Sequence, residues 1–186
     1  MFLFILGLAV FFSAHFFTAF ARDGRRKLVQ RLGDRGYKGL YSLVSLGGFV
    51  LIIAGWGNAD ASLVYSPPAY LRHVTYLLMP ISFILLTAAY VPAGRIALTV
   101  KHPMLAGVKI WAFAHLLSNG EVRSVILFGA FLAFAVADRI ALKRREEPGR
   151  AAGPMQNDIM AIIIGLIAFA GVAFYLHQYI AGVALF

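Results

Sequence analysis

The stretch that decides the fold class is residues 2–21, which read FLFILGLAVFFSAHFFTAFA. This run has no charged side chain and is long enough to cross a bilayer, because a helix rises about 1.5 Å per residue. A secretory signal peptide carries its basic residues before the apolar run, whereas here a basic cluster follows it. The sequence therefore predicts a retained first membrane helix whose amino terminus lies outside the cytoplasm.

The rest of the chain repeats this apolar pattern. Of its 186 residues, 61% are hydrophobic and 13% are charged, whereas a soluble domain is about half apolar and about a quarter charged. Five further apolar segments follow the first, and they are residues 40–56, 74–91, 104–118, 125–142 and 159–186. We expect an all-α, polytopic membrane bundle of about six transmembrane helices, forming a single domain over residues 1–186. Segment 104–118 is short for a full span.

Basic residues alternate between the connections that join these segments. The first, third and fifth connections carry seven, two and four Lys or Arg residues, whereas the other two carry only Arg72 and Arg123. The positive-inside rule then predicts that the basic connections are cytoplasmic loops, including a solvated loop at residues 144–154, and that both termini lie on the other side. Anionic lipid headgroups account for the net charge of +9, so membrane lipids are expected as partners and nucleic acid is not.

The histidines are the main candidates for metal chemistry, because the chain has no cysteine. Disulfides, thiolate-ligated metals, iron–sulfur clusters and thiol nucleophiles are thereby excluded. His15 and His115 lie inside apolar segments, where an unpaired polar group is costly and indicates a function. His177 is expected at the non-cytoplasmic interface. His73 and His102 lie at segment edges, where solvation is the simplest interpretation, although His102 at a helix start can also attract an anion.

The depths of His15 and His115 in the membrane can be compared through the helical rise. His15 lies seven residues before Arg22, about 10 Å from the cytoplasmic boundary. His115 lies about 9 Å deep if Lys109 marks that boundary, and about 18 Å deep if Pro103 does. Two imidazoles at one depth on different helices can hold a haem iron between them. A hydrogen bond between helices is the alternative role for each ring.

The segment around His115 carries start and stop signals of a helix. Pro103 fits the first turn, where its missing N–H costs nothing, and Gly120 lies where a carboxyl-terminal cap belongs. Trp111 lies one turn before His115 on the same face and is expected to line a cofactor beside it. A haem bound here would be non-covalent, since no cysteine is present for attachment.

Several stretches of the chain carry a family resemblance. Residues 102–107 read HPMLAG, residues 111–120 read WAFAHLLSNG, and residues 35–43 read RGYKGLYSL. Together with a first helix that contains His15, they resemble the NnrU family of bacterial membrane proteins over nearly the whole chain. This resemblance implies residence in the bacterial inner membrane and an association with nitrite and nitric oxide metabolism.

The NnrU family is in turn similar to 15-cis-zeta-carotene isomerase of plants and cyanobacteria, an integral-membrane haem b enzyme. In that enzyme a histidine of the first helix and one of the helix with the His-Pro run are implicated in holding the iron. The similarity implies haem b in the present chain, with iron ligands His15 and His115, and redox-linked, isomerase-like chemistry that draws on an electron donor. Nothing in the sequence identifies a polyene site, so the substrate is left open.

Two other classes of function compete with a haem protein. The pair His102-Pro103, followed by Gly107 at a cytoplasmic helix start, is also similar to membrane methyltransferases that use S-adenosylmethionine. The acidic, Arg-rich motif that those enzymes have near the carboxyl terminus is missing here. A non-enzymatic assembly partner is compatible with the whole sequence, whereas a small-molecule permease would need more polar faces than the apolar segments offer.

Overall fold

The computed structural model describes residues 1–146 and 153–185, and regular structure within them is helical. The helices are, in chain order, α1 Phe2–Phe20, α2 Arg22–Trp56, α3 Leu71–Ala88, α4 Arg95–Val100, α5 Pro103–Ser118, α6 Val122–Arg144, α7 Met155–Gly171, a π-helical turn Val172–Leu176 and α8 His177–Ala181. Most of the loop predicted at residues 144–154 lies outside the described residues.

Five helical stretches in the described part of the chain are long and apolar enough to cross a membrane. They are α1, α2, α3, α6 and the continuous stretch Met155–Ala181. Helix α5 is apolar but has only 16 residues. It corresponds to segment 104–118, which was predicted to be short for a full span. The prediction of an all-α polytopic membrane protein is confirmed, while the location of the termini stays a prediction.

The chain folds into two compact units, Met1–Asp60 and Ala61–Phe186; the single domain expected over residues 1–186 stays a prediction. In the first unit, α1 and α2 pack closely against each other through glycines. A Cβ atom added to Gly48 would lie 2.6 Å from the backbone nitrogen of Phe11, and one added to Gly7 would lie 2.5 Å from that of Ile52. Because residue numbers rise along α1 as they fall along α2, the two helices are antiparallel. Small residues at such contacts let helix backbones approach in a membrane.

The basic connection after α1 is helical, although it was expected to be a loop. Helix α2 begins at Arg22 and continues to Trp56, with one break at Gly33, where φ is 72° and ψ is 165°. Two ion pairs at helical spacing lie one on each side of this break: Arg26 with Asp23 at 2.6 Å and Lys38 with Asp34 at 2.6 Å. A positive φ is strained for residues other than glycine, so Gly33 permits the change of direction.

In the second unit, α5 packs against α3 and α6, and α3 also packs against α7. Two hydroxyls of α3 donate to carbonyls of α5: Thr75 Oγ1 to Ala114 at 2.7 Å and Ser82 Oγ to Gly107 at 2.8 Å. Both hydroxyls are buried, so these bonds supply the partners that an apolar environment requires. The pairing also shows that α3 and α5 run antiparallel.

The two ends of α5 test the predicted start and stop signals. Pro103 lies in the first turn, after the N-cap residue His102, as predicted. The prediction that Gly120 caps the carboxyl terminus is wrong, because α5 ends at Ser118 and Asn119 is the cap residue, in an extended conformation. The Gly120 carbonyl instead accepts hydrogen bonds from the backbone of Val64 and Tyr65, and a side chain at Gly120 would overlap the Tyr65 carbonyl.

Candidate functional site

His15 lies in the second half of α1 and is partly buried. Its Nδ1 donates a hydrogen bond of 2.8 Å to the carbonyl of Phe11, one turn earlier. The imidazole stacks on the Phe11 ring, with centroids 4.0 Å apart and planes 23° apart, and it also contacts the Tyr41 ring of α2 at 5.3 Å. The ring is therefore fixed by contacts within the first unit.

His115 has the same arrangement within the second unit. Its Nδ1 donates a hydrogen bond of 2.8 Å to the carbonyl of Trp111, again one turn earlier. The imidazole stacks on Phe128 of α6, with centroids 4.4 Å apart and planes 24° apart. Each of the two predicted ligands thus has a bonded Nδ1 and a phenyl ring against one face.

The hydrogen bond from Nδ1 determines the tautomer of both rings. A carbonyl oxygen can only accept, so the proton of a neutral imidazole must lie on Nδ1 at His15 and at His115. The lone pair then lies on Nε2, which is the nitrogen available to a metal. A histidine that binds a metal characteristically donates its other N–H to a carbonyl or carboxylate, which fixes the orientation of the ring.

Trp111 lies beside His115, as its position one turn earlier predicted. The indole and imidazole centroids are 5.2 Å apart. The indole also packs edge-on against Phe128 at 4.9 Å and against Phe131 at 5.3 Å. Trp111 therefore supplies both the carbonyl that orients His115 and part of the aromatic surface around it, while its predicted contact with a cofactor stays a prediction.

The end of α5 next to His115 is held by two residues that the sequence did not single out. Asn119 donates its side-chain N–H to the His115 carbonyl at 2.9 Å. The Tyr65 hydroxyl donates to the carbonyl of Leu116 and, at 3.1 Å, to that of Asn119. Burial raises the pKa of Tyr65, so its hydroxyl keeps the donated proton. No local pattern connects Tyr65 to a helix about 50 residues later, so only the structure could find it.

His177 directly follows the π-helical turn and is partly buried. Its Nδ1 donates to the Val183 carbonyl at 2.7 Å. The neighbouring rings of Tyr175 and Tyr179 are mostly exposed. Exposed tyrosines of this kind are typical of a membrane interface, the location expected for His177.

The remaining polar candidates lie at helix ends. His73 is exposed in the first turn of α3, and His102 is the N-cap residue of α5. Within residues 1–146 and 153–185, no group of three or more His, Cys, Asp or Glu side chains is arranged to hold a metal ion.

Comparison with known proteins identifies one family. The sequence profile of the NnrU protein family matches residues 3–185, nearly the whole chain. No curated protein and no solved structure matches the chain significantly. The expected similarity to the carotene isomerase therefore stays a prediction.

Proposed function

This chain belongs to the NnrU protein family, and we propose that it is a haem b protein of the bacterial inner membrane with His15 and His115 as axial iron ligands. Its helices make it a multi-pass membrane protein in contact with lipid. Membership of the family supports a role related to nitrite or nitric oxide. The finer proposal adds redox-linked, isomerase-like chemistry with an electron donor, and it depends on the haem.

The observation that carries this proposal is the matched geometry of the two histidines. Each donates from Nδ1 to the carbonyl one turn earlier at 2.8 Å, and each stacks on a phenylalanine, Phe11 or Phe128. The hydrogen bonds direct the Nε2 lone pairs away from their own helix backbones. This is the tautomer that iron coordination requires.

The residues around the two histidines fit a haem group by their chemistry. Neutral imidazole is a usual axial ligand, and the aromatic side chains Phe11, Tyr41, Trp111 and Phe128 provide apolar surface for a porphyrin. His15 and His115 would hold the haem, which when bound would supply one-electron redox chemistry and an iron that can bind nitric oxide. The Phe11 and Trp111 carbonyls orient the two imidazoles through their Nδ1 hydrogen bonds.

Absorbance spectra of the purified protein, oxidised and then reduced, test the proposal. We expect a b-type Soret band that His15→Ala and His115→Ala each weaken strongly, because each removes one iron ligand. His177→Ala is the matched control, since it removes an imidazole with a similar Nδ1 hydrogen bond and should leave the band in place. Colourless wild-type protein from haem-replete cells would refute the proposal.

A further inference from the structure

The proposed function leaves the helix formed by residues 22–32 unexplained. We call this segment, whose sequence is RDGRRKLVQRL, the basic helix. It follows α1, which ends at Phe20, and it precedes the apolar part of α2, which begins near Leu40. Two antiparallel spans can be joined by a few residues, yet this connection forms about three helical turns before the break at Gly33.

The basic helix has one apolar face and one basic face. At 3.6 residues per turn, Leu28, Val29 and Leu32 fall on one side, while Lys27 and Arg31 fall on the other. Leu28 and Val29 are partly buried, and the Leu32 side chain is 48% exposed. A helix of this kind beside a membrane span is typical of one that lies in the interface, with its apolar face toward the acyl chains.

The carboxylates of this region do not neutralise its charge. Asp23 pairs with Arg26 before the break at Gly33, and Asp34 pairs with Lys38 after it. Three further cations have no ion-pair partner among the residues that the structure describes: Lys27, Arg31 and Arg35. The surface that faces away from the protein is therefore strongly positive and suited to anionic lipid.

Arg25 differs from the other cations because it lies on the apolar side of the basic helix. Its guanidinium lies 5.5 Å from the centroid of the Tyr37 ring. Tyr37 is itself buried, and its hydroxyl is hydrogen-bonded to Thr18 Oγ1 at 2.7 Å. The Nε of Arg25 is buried and has no hydrogen-bond partner within the described residues. A buried N–H of a cation without an acceptor is costly, and a phosphate oxygen is the acceptor that best matches guanidinium.

From this geometry we propose that the basic helix binds the phosphate of an anionic phospholipid headgroup, with Arg25 as the donor that contacts it. Lys27 and Arg31 of the basic helix, together with Arg35 just beyond its end, draw the anionic leaflet to it, and the acyl chains cover Leu28 and Leu32. Free phosphate shares the headgroup chemistry, but it leaves the apolar face uncovered. This site lies wholly within the first unit and does not depend on haem binding.

Native mass spectrometry of the detergent-purified protein, titrated with phosphatidylglycerol or phosphatidylcholine, tests the proposal. Wild-type protein should bind phosphatidylglycerol in preference to phosphatidylcholine. Arg25→Gln should weaken that binding about fivefold, the effect of removing one basic contact with an anionic headgroup. The triple variant Lys27→Gln/Arg31→Gln/Arg35→Gln should weaken it by at least about tenfold for the same reason.

Matched variants separate a specific site from a general effect of charge. Arg26→Gln removes a neighbouring cation that is already paired with Asp23 and should change binding little. The triple Lys101→Gln/Lys143→Gln/Arg144→Gln removes equal charge from other predicted cytoplasmic segments and should also have little effect.

Three results would overturn the proposal. They are equal binding of the two lipids by wild-type protein, equal losses in the control triple and the Lys27/Arg31/Arg35 triple, and displacement of the lipid by millimolar inorganic phosphate. If Arg25→Gln loses helical content by circular dichroism, Arg25→Lys replaces it in the titration. That variant keeps the charge but lacks Nε, so it should bind phosphatidylglycerol more weakly than wild type, and unchanged binding would equally count against the site.

Discussion

At the scale of single residues, the sequence identified His15 and His115, but not what surrounds them. Both were singled out because a histidine within an apolar segment needs a partner. The stacking of His115 on Phe128 joins α5 to α6 and depends on the packing of two helices. Nothing near His115 in the sequence indicates which of the 16 phenylalanines is close to it. The Nδ1 hydrogen bonds, in contrast, follow directly from helix geometry.

Tyr65 provides a test of how the end of α5 is held. Tyr65→Phe removes the hydroxyl that donates to the carbonyls of Leu116 and Asn119. Net hydrogen-bond contributions suggest a loss of about 1 kcal/mol in the free energy of unfolding. Thermal unfolding in detergent, followed by circular dichroism, would measure it. Tyr70→Phe, in the same connection at 66% exposure, is the control, and an equal loss in both variants would contradict the assigned bonds.

The same contact predicts a dependence on pH. Burial raises the pKa of Tyr65 above its usual value of about 10. The protonated hydroxyl therefore contributes its full stabilisation below the unfolded pKa, and this contribution is lost as the pH rises through the folded pKa. The difference in stability between wild type and Tyr65→Phe should stay constant from pH 7 to about pH 9 and shrink above about pH 10. A difference that instead shrinks between pH 7 and pH 9 would contradict this assignment.

At the scale of helices, apolar length predicted the spans well, whereas polar composition predicted the connections poorly. The basic connection was expected as a loop but forms helix, and ion pairs at helical spacing, Arg26–Asp23 and Lys38–Asp34, lie on either side of its break at Gly33. Gly120 had the sequence position of a helix cap. In the structure it instead lets the backbone of residues 62–65 pass close to its own backbone. That error has a physical cause: a glycine required by a distant backbone looks the same in sequence as one required by its own φ angle.

The contact between α1 and α2 gives a prediction that uses two adjacent glycines. Gly48→Ala places a methyl group against the backbone of Phe11, so the two helices must separate, at a cost of about 1–3 kcal/mol. Gly47→Ala meets no atom within 4 Å and should be neutral or stabilising by up to about 1 kcal/mol, because alanine favours helix. Thermal unfolding of the two variants tests the packing, which is wrong if they unfold at the same temperature.

At the scale of the whole molecule, the alternation of basic residues predicts the orientation in the membrane. The basic helix should lie in the cytoplasm, and the connection between α2 and α3 should lie on the opposite side. Because the chain has no cysteine, a single introduced thiol reports one position without interference. In spheroplasts, a membrane-impermeant maleimide should label Ser66→Cys directly and Gln30→Cys only after permeabilisation. The reverse pattern would invert the predicted orientation.

The match to the NnrU family covers residues 3–185, nearly the whole chain, and so includes both histidines. The central claim is the proposal that both histidines coordinate one haem iron. Two imidazole ligands give six-coordinate iron, whereas a single imidazole leaves one axial position to water or another ligand.

Electron paramagnetic resonance of the oxidised protein, purified from haem-replete cells, measures this coordination most directly. We predict the low-spin ferric signal of iron with two imidazole ligands. The reduced amount of haem that His15→Ala or His115→Ala retains should give a high-spin signal, whereas His177→Ala should keep the low-spin signal. A high-spin signal in the wild-type protein, or a low-spin signal that survives the loss of either predicted ligand, would contradict the claim.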